Sequence, residues 1–166
     1  MAIIVEDGTG LATAQTYVSA AEADAYFSAR EVDAWTGSIA VKESAILVAT
    51  EYMEATYTWI GRITRDAQAL GWPREYLYDK DGRSLSNTVP TAVKRASFEL
   101  ALKAITSTLL LDTTRDDYVV REKIDVLETE YRAGAPTRVE YNFVSRILKD
   151  LITQYSGGSS VTLLRA

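Results

Sequence analysis

The sequence contains no cysteine and no histidine. That double absence removes disulfide frameworks, thiol nucleophiles, Cys/His zinc sites, iron-sulfur clusters and Ser-His-Asp triads in one step. Proline is scarce, with three residues, and no apolar run approaches the roughly 20 residues that a membrane-spanning helix requires. The short apolar stretch Ile3-Ile4-Val5 has no basic flank before it, so the expectation is a soluble protein made without a signal peptide. Clustered basic charge is missing too. The formal net charge is −5, spread as −7 over residues 1–56, +3 over 57–103 and −1 over 104–166. Such a balance disfavours a protein whose main task is gripping phosphate backbone, which needs clustered Lys and Arg.

What is present is an ordinary globular composition: 166 residues, 47% hydrophobic and 25% charged, enough for one core without a metal or disulfide staple. Ser19-Ala20-Ala21-Glu22 is a capping box, and it predicts a helix from Ala20 to about Arg30. Val41, Ala45, Val48, Ala49 and Tyr52 recur at helical spacing, with Glu43, Thr50, Glu51 and Glu54 off that stripe, predicting a helix over 40–55. Pro90 suits the first turn of a third helix whose stripe is Phe98, Leu102, Ile105 and Leu109. A fourth should open at the capping box Thr137-Arg138-Val139-Glu140 and carry Phe143, Val144, Ile147, Leu148, Leu151 and Tyr155 on one face, with Arg146 and Asp150 paired on the other. Residues 119–131 fit helical spacing through Val120, Ile124, Leu127 and Tyr131, yet their β-branched and aromatic content suits a strand.

Between the second and third helices, Tyr57 to Val89 is an irregular stretch punctuated by Gly and Pro; loops of that length are usually functional or disordered, and its two Trp argue against disorder. The expected architecture is therefore mainly α: a bundle of about four helices with a long irregular loop region and short extended arms at the N-terminus, around 119–131 and at the C-terminus. We expect one domain over 1–156, including an N-terminal arm at 1–18. A tail at 157–166 follows a Gly-Gly-Ser-Ser joint.

Motifs for chemistry are weak. Asp79-Lys80-Asp81-Gly82 resembles a calcium loop, but the twelfth position is Pro90 where a bidentate Glu is needed, so a turn is the better reading. Gly8-Thr9-Gly10 lacks the last glycine of a dinucleotide fingerprint, and Asp116-Asp117 reads as a solvated break. No enzyme constellation, cofactor site or metal site is expected. Tyr52, Tyr57, Trp59, Trp72, Tyr76 and Tyr78, interleaved with Arg62, Arg65, Arg74 and Arg83, form the one arrangement able to stack bases and neutralise phosphates. The competing expectation is that Trp59, Arg62, Leu70, Trp72, Pro73 and Arg74 anchor the loop region to the helices.

Several stretches taken in order carry a resemblance: Val5-Glu6-Asp7-Gly8-Thr9-Gly10, Tyr17-Val18-Ser19, Ala49-Thr50-Glu51-Tyr52-Met53, Trp59-Ile60-Gly61-Arg62, Gln68-Ala69-Leu70-Gly71-Trp72-Pro73-Arg74, and Arg121-Glu122-Lys123-Ile124. Over nearly its whole length the chain resembles small tailed-bacteriophage proteins catalogued as DnaT-like single-stranded DNA-binding, which are similar to head-tail connector, or head-completion, adaptors. It departs at Ile124-Asp125-Val126, where relatives often carry Gly-Pro. The resemblance implies a structural virion protein made in the host cytoplasm. It would form a homo-oligomeric, commonly dodecameric ring beneath the portal protein, meet a tail or tail-completion protein, and let DNA pass through its lumen without specific binding. The alternative is a single-stranded DNA-binding module that holds the strand by stacking on Trp59 and Trp72 with nearby Arg. In the connector reading, Val161, Thr162, Leu163, Leu164 and Arg165 are expected to dock on the portal or a neighbouring subunit, because an isolated six-residue strand cannot stabilise itself in water. No membrane partner is expected.

Overall fold

The computed structural model of the chain describes residues 3–109, 123–124, 127–128 and 141–153. Ser19 opens helix α1, Ala20–Ser28: its Oγ accepts from the Glu22 amide at 3.2 Å, and the Glu22 carboxylate accepts from the Ser19 amide at 2.8 Å. The helix stops two residues short of the expected Arg30. The chain reverses there through Glu31 at φ +53°, with the Arg30 and Val32 amides both bonded to the Phe27 carbonyl.

Ser38 caps the next helix, α2, Ile39–Thr56. Pro90 precedes α3, Thr91–Thr106, at a position whose missing N–H leaves nothing unsatisfied. The α2–α3 pair makes the most extensive contact between helices. The buried faces mix small side chains, Ala45, Ala49 and Thr50 on α2 and Ala96, Ser97 and Ala101 on α3, with the larger Ile46, Tyr52, Met53, Val93, Phe98 and Leu100. Ala45, Ala49, Tyr52, Phe98 and Leu109 of the expected stripes are buried, with Val48 packed against the core. Val41 is 47% exposed, whereas Thr50 is buried and donates its hydroxyl to the Ile46 carbonyl. On α3 the deepest residues are Val93, Ala96, Leu100 and Ala101, and Leu102 and Ile105 are only partly covered.

The last helix, α4, spans Asn142–Leu148 and packs on α3. Thr137 and the expected end at Tyr155 lie outside the described residues, but Tyr141 at φ −86° and ψ 76° is not helical, so α4 begins at Asn142 rather than running on from the expected capping box. Leu151 and Asp150 do not continue the helix, however, and Arg146 and Asp150 do not share its face. After Leu148 the chain turns and runs extended, with the Ile60 amide bonded to the Leu151 carbonyl and the Thr153 amide to the Thr58 carbonyl. Sheet pairing with the loop region wins over one more helical turn because it satisfies backbone groups on both segments. Among the described residues these four helices set the fold, which is mainly α; none is long and apolar enough to cross a membrane.

Extended structure is sparse. Strands β1, Arg62–Ile63, and β2, Arg74–Glu75, pair antiparallel with Arg62 opposite Glu75. Strands β3, Lys123–Ile124, and β4, Leu127–Glu128, also pair antiparallel, which settles those four residues of 119–131 as extended. At the start of the chain, Val5 bridges Thr16, and the Glu6 amide donates to the Thr16 carbonyl at 2.8 Å. The Glu6 side chain is only 2% exposed. Its carboxylate accepts from the Gly8, Gly10 and Leu11 amides, each at 2.9 Å. Gly8 at φ +98° and Gly10 at φ +77° supply the left-handed backbone that turns those amides inward. The glycine loop therefore cradles an anion from its own chain.

Candidate nucleic-acid interface

Glu54, near the C-terminal end of α2, organises the loop region. Its Oε1 accepts from the Tyr17 hydroxyl and, at 3.2 Å, from Trp59 Nε1, while its Oε2 accepts from the Gly71 amide at 2.9 Å. The Tyr17 oxygen in turn accepts from the Trp72 amide at 3.2 Å. Burial, reinforced by the Glu54 charge, pushes the Tyr17 hydroxyl well above its ordinary value, so it stays a donor. Sequence reading placed Glu54 among side chains away from the core; no local signal marks it, because its partners come from three separate segments.

The aromatic and basic residues singled out from the sequence divide into two groups around this hub. Trp72 and Pro73 are buried, Trp59 is 8% exposed, and Leu70 is partly covered. The two indoles meet edge to face at 6.0 Å, and neither offers a ring face for a base. Arg74 is also occupied. Its Nε donates to the Ile60 carbonyl at 2.6 Å, Nη1 to Gly71 at 3.0 Å and Nη2 to Gly61 at 2.7 Å. Burial holds its pKa below the usual guanidinium value. Stacking through Trp59 and Trp72 is thus closed off by packing, while Arg62 is exposed on β1. Residues 161–165 lie outside the described residues.

The second group faces outward. Tyr76 is 75% exposed and Tyr78 70%, and they flank Leu77, which is buried against Gly61. Tyr78 bridges Ser84, the Asp79 amide bonds the Arg83 carbonyl at 2.9 Å, and the Leu85 amide bonds the Leu77 carbonyl at 2.9 Å. This is a hairpin whose tip is Asp79-Lys80-Asp81-Gly82, a turn as the sequence suggests. Asp79 Oδ1 accepts from the Asp81 and Arg83 amides, and its Oδ2 from Arg83 Nε at 2.7 Å. The Arg83 amide, above all, holds the Asp79 carboxyl below the usual carboxylate range. Arg83 also meets Asp81 at 3.1 Å, whereas Arg62 and Lys80 form no ion pair among the described residues. Two exposed phenol rings on a hairpin with Lys80 at its tip, and Arg62 opposite Glu75 on the neighbouring strand pair, can stack on bases and meet phosphate, each base-aromatic stack contributing about 1–3 kcal/mol.

Over residues 1–166 the sequence matches the family described as "Putative DnaT-like ssDNA binding protein". The chain belongs to that family. No curated protein and no solved structure matches it. The family description concerns single-stranded DNA; head-tail junctions do not enter it. Of the aromatic set singled out from the sequence, Tyr76 and Tyr78 are the exposed members among the described residues. Sequence reading included both in its aromatic set but placed the emphasis on the tryptophans, because large size signals stacking and burial alike.

Proposed function

We propose that this chain is a binding protein for single-stranded nucleic acid, without catalytic turnover, whose contact element is the Tyr76–Leu85 hairpin with Arg62 beside it. The observation that carries this reading is the exposure of Tyr76 and Tyr78 on a segment pinned to the core by Leu77. A fixed platform loses little conformational freedom on binding. Membership of a family described by single-stranded DNA binding supports it. Affinity is modest and weakly salt-dependent, since Asp79 and Asp81 offset Arg83 within the hairpin and the whole chain is acidic.

A second reading is the head-tail connector: a homo-oligomeric ring in the virion, between portal and tail proteins, with DNA passing through. The net charge of −5 favours it, because a conduit that repels DNA does not hold it back. Exposed Ile39, Val41 and Phe143 supply apolar surface for neighbours.

Anisotropy of a labelled oligothymidylate, titrated with the protein at several salt concentrations, separates the two. The first reading expects a dissociation constant on the order of 10⁻⁶–10⁻⁴ M, the range of non-specific nucleic-acid binding, that weakens at least tenfold on joint Tyr76→Ala and Tyr78→Ala substitution. Absence of binding, together with ring-sized mass in sedimentation, overturns it in favour of the connector.

A further inference from the structure

On the nucleic-acid reading of this face, on which the inference rests, we infer that Tyr76 presents its ring from a strained backbone, a placement that lowers the stability of the fold and serves strand binding. Among the described residues three that are not glycine have a left-handed backbone: Glu31 at φ +53°, Tyr76 at φ +60° and Asn87 at φ +55°. That conformation brings Cβ too close to the following carbonyl oxygen, and short polar side chains such as Asn tolerate it best. Asn87 is ordinary on that ground. Glu31 lies in the turn that closes α1, where the amides on either side of it bond the Phe27 carbonyl. Tyr76 has neither account. It is bulky and 75% exposed, and among the described residues no hydrogen bond or ring contact involves its side chain. Packing therefore does not offset the strain.

The backbone around Tyr76 is fixed on both sides. Arg62 opposite Glu75 ends the β1–β2 ladder, and one step further along the same register Gly61, at φ +79°, and Tyr76 are both left-handed. The chain leaves one ladder at this corner and enters the next, where the Leu77 carbonyl accepts from the Leu85 amide at 2.9 Å. Arg74 grips the Ile60 and Gly61 carbonyls. Leu77 is buried so close to Gly61 that a Cβ there would lie 2.8 Å from Leu77 Cγ. A strained residue persists where its surroundings over-determine it, and such residues concentrate at functional sites. Glycine would take this corner without strain. What tyrosine adds is an aromatic face in solvent, held in position before an unpaired base arrives to stack on it.

Urea denaturation and oligothymidylate anisotropy on the same full-chain variants test the inference. Tyr76→Gly should raise the folding equilibrium constant at least about threefold, because relief of the left-handed strain exceeds the added freedom of the unfolded chain. The same variant should bind oligothymidylate at least about fivefold more weakly. Tyr78→Gly, at a residue without left-handed backbone that bridges Ser84, should lower both quantities. Tyr76→Phe, which keeps the ring, should hold its affinity within about twofold. A Tyr76→Gly chain no more stable than the unaltered one overturns the inference, since the strain is then absent. Unchanged affinity in Tyr76→Gly, with the unaltered chain binding, overturns it as well and leaves strand binding to Tyr78. Loss of affinity in Tyr76→Phe transfers the contact from the ring face to the hydroxyl, with the same result. Absence of binding by the unaltered chain is the separate failure of the nucleic-acid reading, and it removes both.

Discussion

Trp59 and Trp72 stand edge to face with ring centroids 6.0 Å apart and planes at 77°, and Gly71 lies against the first of them. A Cβ at Gly71 would sit 2.5 Å from Trp59 Cδ1, closer than carbon atoms approach. The contact needs a glycine for its lack of a side chain rather than for its backbone freedom. Gly71→Ala must therefore push Trp59 out of register or move the backbone away from Glu54. Overpacking of this kind typically costs about 1–3 kcal/mol. Trp72→Ala, which empties a fully buried site, should cost about 3–5 kcal/mol. Urea denaturation followed by circular dichroism measures both, and wild-type midpoints would remove the anchoring role.

Tyr17 gives the hub a pH signature. Its hydroxyl pKa in the folded chain lies well above the ordinary 10.0, first through burial and then through Glu54. A folded value above the unfolded one means that the folded state favours the protonated phenol. The resulting stability is fully present below pH 10 and is lost as pH rises beyond it toward the folded value. Thermal melts should thus fall steeply above about pH 10. Tyr17→Phe should be less stable at pH 7 by about 1–3 kcal/mol, the cost of stranding hydrogen-bond partners. Its alkaline fall should also be shallower. An identical alkaline profile for the two proteins would show that another group drives the transition.

Glu6 is a buried acceptor for three amides, and a carboxylate is the side chain that fits. Glu6→Gln keeps the shape but replaces one acceptor oxygen with an NH2 group facing an amide donor. A loss of about 1–3 kcal/mol is expected from the stranded donors. Hydrogen exchange of the Gly8, Gly10 and Leu11 amides should accelerate in the same variant, and unchanged protection would show that the loop holds without the carboxylate.

Tyr76 and Tyr78 should behave in the opposite way. Each is largely exposed, so Tyr76→Ala and Tyr78→Ala should change stability by no more than about 0.5 kcal/mol. Loss of a stacking partner should cost about 1–3 kcal/mol of oligonucleotide affinity per ring. Calorimetry and anisotropy on the same samples read the two quantities independently. Large destabilisation with unchanged affinity would assign these rings to the fold instead of the interface.

Local order was legible in the sequence wherever the determinants are neighbours in the chain. The Ser19/Glu22 capping box, the helical spacing of α2 and α3 and the Asp79–Gly82 turn depend on contacts within a few residues, and each stands where its pattern predicts. Which face of a helix is buried is a different matter. Val41 is exposed while Thr50 is buried with its hydroxyl satisfied by the Ile46 carbonyl of its own helix, which lets a polar residue enter the core and which an apolar stripe does not encode. The end of α4 followed the same logic, with Leu151 diverted by pairing to Ile60. At the candidate interface, composition marked the aromatic-rich segment, but only tertiary contacts separated its members. Glu54, Tyr17 and Gly71, distant in sequence, enclose Trp59 and Trp72, while Leu77 anchors the hairpin and leaves Tyr76 and Tyr78 outside. Sequence alone determines which side chains can stack on a base. Long-range packing decides which are free to do so, because a ring enclosed by neighbours on both faces has no surface left to offer.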